Sequence, residues 1–184
     1  MSFEDVTRQK LVVEGRTEMS FWRLTKEQYA WVGLRLVLGW TLLFAFLTQM
    51  FGLGFGTEPG QAWINGVSPT EGFLKYASAG PLHDFYSSIA GNVAVDVLWM
   101  LALVAIGGAL MLGIGQRISG YAGALLMILL WSSRLPPSNN PLVDEHIVYL
   151  FGFLLIAFVR PGKWMGLGKW WSNTSLVKKH PILE

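Results

Sequence analysis

The chain contains no cysteine. That absence excludes a disulfide framework, a thiolate-ligated metal or iron–sulfur centre, and a cysteine nucleophile on this chain. Charge is scarce as well. Only 14% of the 184 residues are charged, against about 25% in an ordinary soluble domain. Histidine occurs three times, with no HxH or HxxxH pair, so the spacing offers no paired-imidazole metal site. Gly52, Gly54 and Gly56 match the opening of a nucleotide fingerprint, but they follow an apolar run and not a strand. The reading therefore places no metal and no haem on this chain. If the chain takes part in electron transfer, the electrons pass through a bound organic molecule or a partner subunit. No internal repeat or pair of broken helices marks a transporter. The first 28 residues hold ten charges and no basic segment followed by an apolar one. No cleavable signal peptide is expected, and the first span inserts uncleaved.

What is present is apolar. Hydrophobic residues make up 52% of the chain, with nine Trp, and the mean hydropathy is +0.42. These residues fall in four runs, at about 29–51, 93–115, 118–135 and 142–159. A bilayer core about 30 Å thick needs roughly 20 helical residues to cross it. The expected fold is thus all-α, a four-helix transmembrane bundle with short amphipathic helices in the long outer loop between helices one and two. Residues 1–25 form a polar cytoplasmic segment, 26–162 the membrane domain and 163–184 a basic cytoplasmic tail.

Helix boundaries can be read from caps. Thr25 and Gln28 have capping-box spacing, so the first helix should start at Lys26. Asn140-Pro141 reads as N-cap and first residue of the fourth helix. Pro136 and Pro137 end the third. Ala105, Ala109 and Gly113 in the second helix, and Gly120 and Ala124 in the third, form small-residue stripes suited to close packing. Eleven of the fourteen Lys and Arg flank the ends of the spans on one side, from Arg8 to Lys26, at Arg117, and from Arg160 to Lys179. Only Lys75 and Arg134 lie on the other. The positive-inside rule then puts both termini in the cytoplasm. The pI near 9.0 belongs to that inner face, and no nucleic-acid partner follows from it. Arg35, about ten residues into the first helix, either snorkels or pairs inside the bundle.

The outer loop, from Leu53 to Asn92, carries a second capping box at Ser68-Pro69-Thr70-Glu71. Between Pro81 and Ala90, Leu82, Phe85, Tyr86 and Ile89 share one helical face. This loop serves either as an interfacial anchor or as a lid. The ionisable residues of the spans gather at the same outer end: Asp96, Arg134, and Asp144-Glu145-His146. Such residues are costly in a bilayer and carry a functional hypothesis by default. Arg134 and the start of the fourth helix would attract a small anion. His146 would move a proton near neutral pH, and Asp96 and Glu145 would orient it. Trp99, Trp131 and Tyr149 would flank a flat ring such as a quinone. Lys75 and His83 on the loop are further substrate-binding candidates, with a surface role the plainer reading for His83. The alternative for the whole cluster is a structural set of ion pairs, in which Arg134 neutralises an acid of the helix start.

Residues 62–66 (AWING), 68–74 (SPTEGFL), 113–117 (GIGQR), 135–141 (LPPSNNP) and Asp144-Glu145-His146 carry a resemblance. Across roughly residues 33–171 the chain resembles the DoxD/DoxX family of small four-helix membrane proteins, the DoxD branch most closely. Many relatives carry a Glu within the second helix; here the acid is Asp96, nearer the outer end. The resemblance implies the membrane subunit of a thiosulfate:quinone oxidoreductase, working with a small DoxA-like subunit in a prokaryotic cell membrane. Thiosulfate would be coupled to tetrathionate outside, and a membrane quinone would take the electrons. A non-catalytic accessory role in a terminal quinol oxidase or another respiratory complex is the alternative.

Overall fold

Thr25 opens the first helix as the capping-box spacing requires. Its hydroxyl accepts the Gln28 N–H at 3.3 Å, and Gln28 Oε1 accepts the Thr25 N–H at 2.9 Å. The computed structural model describes residues 24–137, 140 and 142–184. The expectations for residues 1–23, Ser138, Asn139 and Pro141 lie outside these. Helix α1 runs Lys26–Phe51, α2 His83–Ser88, α3 Val93–Leu112, α4 Gln116–Ser133, α5 Glu145–Val159, α6 Gly168–Ser172 and α7 Ser175–Lys179. Among the described residues there is no strand.

The four long helices α1, α3, α4 and α5 pack as a bundle. The main contacts are α1 on α3 and α4 on α5, and α3–α4 and α1–α5 contacts close the ring. Leu38, Leu42, Met100, Leu103, Leu110, Phe153 and Ile156 form its centre. Large apolar side chains also cover the outside, among them Val37, Leu98, Leu125 and Phe151. Meanwhile Arg35, Gln116, Ser119 and Ser133 are buried. A soluble bundle would be apolar inside and polar outside.

Helices α1 and α3 are long and apolar enough to cross a membrane. Helix α4 begins with Gln116 and Arg117. Helix α5 has 15 residues, about 22 Å at 1.5 Å per residue, which is short of the hydrocarbon core. The expected start of the fourth helix is corrected for the same reason. Asn140 Oδ1 accepts the N–H groups of Leu142 and Val143 and caps only a turn. The helix itself starts at Glu145, capped by Asp144.

Packing also corrects one small-residue stripe. Gly120 and Ala124 do face α5, and a Cβ on Gly120 would lie 2.7 Å from Ala157 Cβ. On α3 the close approach falls at Gly107 and not on Ala105, which is exposed. Gly107 meets Gly39 of α1, where neither backbone carries a Cβ. A tight hairpin joins α3 to α4, and Gly113 (φ 76°) and Gly115 (φ 53°) adopt the left-handed backbone it needs. Buried Arg35 lies against this hairpin. Its guanidinium donates to the carbonyls of Leu110 (2.7 Å), Met111 (3.3 Å) and Met165 (2.9 Å). It therefore pairs inside the bundle, with carbonyls at the end of α3 and in the tail, of which Leu110 also accepts the Gly113 N–H at 3.2 Å.

The outer loop is folded across the opposite end. Buried Asp96 on α3 holds it, since Oδ1 accepts from Ser68 Oγ (2.8 Å), Thr70 Oγ1 (2.5 Å) and Thr70 N–H (3.3 Å). Ser68 also accepts the Glu71 N–H at 3.1 Å, the forward half of the expected capping box. Glu71 turns to Lys75 instead of closing the box. Two further ties fix the loop to α4: Ala79 N–H to the Ser133 carbonyl (2.8 Å), and Tyr86 Oη to the Leu129 carbonyl (3.1 Å).

The tail is a folded plate under the α3–α4 hairpin. The Arg117 N–H donates to the Glu184 carbonyl at 3.2 Å, and Trp171 Nε1 to the Leu183 carbonyl at 2.7 Å. The Glu184 carboxylate pairs with Arg160 and Lys163 and accepts from Ser172 Oγ. The hydrogen bond from Lys163 holds the carboxyl below its usual range. Burial opposes this, and Ser172 and the charges of Lys163 and Arg160 add to it. A depressed carboxyl pKa adds stability above the unfolded value, and that stability is lost as pH falls through the folded one. Tail docking should thus hold at neutral pH and fail only below the ordinary carboxylate range, near pH 4. At pH 7, Glu184→Gln should reproduce the release, and trypsin should cut after Lys178 and Lys179 severalfold faster. Cleavage at the wild-type rate would show that the carboxylate does not hold the tail.

Candidate functional site

At the loop end of the bundle, two chambers meet across a shared wall. The inner one is an apolar cavity of about 340 Å³ between α1, α3, α4 and the outer loop. Trp99 of α3 and His146 of α5 line it, roofed by Thr70, Phe73 and Tyr86 of the loop. Gln49 of α1 lines it too. Trp99 Nε1 donates to Gln49 Oε1 at 2.6 Å. An indole can only donate, so the Gln49 amide must present its oxygen there. Its NH₂ is left without a hydrogen-bond partner among the described residues.

The outer chamber is a polar vestibule of about 320 Å³, lined by Arg134, Asp144, Glu145 and Pro136. Arg134 follows the last residue of α4, and its guanidinium stands 6.0 Å from the centroid of the Phe73 ring. Its Nη1 is 3.8 Å from Glu145 Oε1. Glu145 is 61% exposed, so this loose pair is well screened and Arg134 remains available to a second anion.

Asp144 and His146 lie in the wall between the chambers. Asp144 Oδ1 accepts the His146 backbone N–H at 3.0 Å, which caps α5, and Oδ2 accepts from His146 Nδ1 at 2.8 Å. Their side chains are only 11% and 12% exposed. A carboxylate only accepts, so Nδ1 carries the proton and Nε2 is left free. Asp144, Glu145 and His146 bring ligand atoms within 4.8 Å of one another. Both Asp144 oxygens, however, are already committed to His146.

The structure gathers some of the expected residues and separates others. His146 and Trp99 share the cavity, and Arg134 and Glu145 share the vestibule. The acid that orients His146 is Asp144, in place of Asp96 and Glu145. Asp96 holds the loop and Glu145 faces Arg134. Trp131 does not line the cavity; its Nε1 donates to the Leu142 carbonyl at 3.1 Å. Nor does Tyr149, which sits at the half-exposed edge of α5. Lys75 is paired with Glu71, whose hydrogen bond raises its pKa. Both His83 nitrogens are engaged, Nδ1 with Ser78 and Nε2 with Ser87, so this residue staples the loop.

The sequence reading missed Gln49, Phe73 and the orienting role of Asp144. Each left a trace. Gln49 is a lone amide near the end of an apolar run, and Asp144 stands two residues before His146, where an N-cap bonds. No protein-family model, curated protein or solved structure matches this chain. The fold and site define an all-helical bundle whose loop end holds a polar vestibule beside an apolar cavity.

Proposed function

We propose that the chain is the membrane subunit of a thiosulfate:quinone oxidoreductase, a multi-pass protein of a prokaryotic cell membrane with both termini in the cytoplasm. In this reading all four long helices cross the bilayer. Residues 142–144 lengthen α5 at its start, and the turn at Arg160 and Pro161 lengthens it at its end. The apolar outer surface of the bundle and the gathering of Lys and Arg at the termini end support that orientation.

The observation that carries the chemistry is the pairing of the two chambers. The vestibule faces outside, and Arg134 and the start of α5 attract a small dianion there. Two thiosulfates joined as tetrathionate release two electrons. The cavity fits a quinone headgroup: its volume lies in the range of small-molecule sites, about 300–1,000 Å³. Its walls are apolar and aromatic, the free Gln49 amide can donate to a carbonyl oxygen, and His146 Nε2 can do so when it carries a proton. Quinone, when bound, supplies the acceptor for two electrons and two protons. Arg134 over Phe73 brings the anion side against the quinone side. With no cysteine on this chain, thiolate or persulfide chemistry belongs to a small DoxA-like subunit. Quinol oxidase subunits are further candidate partners.

The test is thiosulfate-dependent reduction of decylubiquinone in membranes containing the protein. Loss of a charge-assisted contact costs about 1.5–3 kcal/mol, so Arg134→Gln should raise the KM for thiosulfate about tenfold to a hundredfold. Unchanged kinetics in both Arg134→Gln and His146→Gln would overturn the assignment. Co-purification with stoichiometric haem-bearing subunits and no thiosulfate turnover would favour the accessory role instead.

A further inference from the structure

We propose that the Asp144–His146 pair is the proton passage between the two chambers, carrying protons from vestibule water to a quinone oxygen held in the apolar cavity. The proposal rests on the quinone reading above and adds the route that reading needs. Asp144 lines the vestibule and His146 lines the cavity. The 2.8 Å contact between Oδ2 and Nδ1 joins them within the wall. A buried carboxylate on Nδ1 fixes the ring and leaves Nε2 as the nitrogen that serves the cavity. In an otherwise apolar cavity that imidazole is the only titratable group besides the Tyr86 phenol among the lining residues. Tyr86 is hydrogen-bonded to the Leu129 carbonyl and to Ser132.

The surrounding charges suit the task. Arg134 from α4 and Glu145 from α5 face the Asp144 side and offset each other at 3.8 Å. From the outer loop, Lys75 is held by Glu71, and His83 by Ser78 and Ser87. Neither Lys75 nor His83 lines either chamber.

The chemistry balances. Reduction of a quinone to its quinol takes two electrons from the donor and forms two O–H bonds. In the loaded pair Asp144 holds a proton taken from vestibule water and presents it to Nδ1, while Nε2 carries the ring proton. At the oxygen near His146, the Nε2–H bond breaks as the quinone O–H bond forms, and the Asp144 O–H bond breaks as Nδ1–H forms. This leaves the carboxylate and the Nδ1–H imidazole of the resting pair; tautomer exchange of the ring then restores Nε2–H. The other oxygen faces Gln49, whose amide does not ionise. Gln49 also lines an open groove with Thr57 and Gln61, and water there supplies the second proton.

The experiment uses the full chain in lipid nanodiscs with decylubiquinone, reduced electrochemically and followed by infrared difference spectra and proton uptake. In the wild type, quinol formation should perturb imidazole and carboxylate bands. Asp144→Asn keeps an acceptor for the α5 cap but removes the titratable group. It should lose the carboxylate band, and His146→Gln the imidazole band. Proton uptake should slow at least tenfold in each, within the usual range of acid–base catalysis. A shifted quinone carbonyl band and an unchanged melting temperature show that the variants fold and bind. If quinone binds and both variants keep the wild-type bands and uptake rate, the passage is overturned while the quinone reading stands. If the wild type shows no bound-quinone band, both fall.

Discussion

Gly107→Leu should prevent assembly of the bundle. A Cβ at this position would lie 2.7 Å from the Leu43 nitrogen and 3.0 Å from the Gly39 carbonyl oxygen. Both are backbone atoms, so no rotamer change relieves the contact. Helix α1 would have to move off α3, opening the core around Leu42 and Leu103. Overpacking typically costs about 1–3 kcal/mol where side chains can yield. A backbone wall raises that cost, against a total stability of about 5–15 kcal/mol. Gly108 is the control, because nothing stands within 4 Å of its Cβ position. Gly108→Leu should purify as a single species with the wild-type melting temperature. Gly107→Leu should yield aggregate or melt more than ten degrees lower, by about the shift expected for a few kcal/mol. Equal melting of the two variants would contradict the closeness of the α1–α3 approach.

The second large effect is expected at Asp96. Replacement by alanine removes one oxygen that serves three donors, two hydroxyls and the Thr70 N–H. A buried donor left unsatisfied costs about 1–3 kcal/mol, so the loss should reach about 3–5 kcal/mol in total. It should also be local, because the outer loop is what Asp96 holds. Amide exchange across residues 68–77 should accelerate by orders of magnitude. The cavity should lose its roof of Thr70 and Phe73, and with it the quinone affinity proposed above. Asp96→Asn retains an accepting oxygen and should fall between alanine and wild type. Wild-type exchange rates in the alanine variant would mean that the ties through Ala79 and Tyr86 alone secure the loop.

How far the sequence disclosed this site follows from the range of each interaction. The start of α1 was legible because a capping box spans three residues and involves no other element. The start of α5 was not, since Asn140 and Asp144 are both competent caps and only packing decides which one begins the helix. His146 and Trp99 stood out as polar or amphipathic groups at the same depth of two spans. Tyr149 lies three residues after His146 and so shares its helical face. The bundle, though, turns His146 and Phe153 inward and leaves Tyr149 at the edge. Asp96 was conspicuous as an acid in an apolar run, but its partners lie 26 and 28 residues away, beyond any local pattern. No acid near Arg35 in sequence marks its partner. The answer was backbone carbonyls, which every sequence contains and none displays.

The partners of Arg35 carry a consequence for how the protein is made. Helix α1 leaves the ribosome before the other long helices, with an arginine inside its apolar run. In a bilayer that residue adds about 2.5–3.5 kcal/mol to insertion of an isolated helix. The carbonyls that receive it belong to Leu110 and Met111, some 75 residues later, and to Met165, 130 residues later. On the proposed membrane reading, the guanidinium would stretch to the lipid headgroups until they are synthesised and draw α1 off its final depth. Helix α1 would then be seated only after its late partners appear, and a nascent chain stopped before Met165 would hold it incompletely placed.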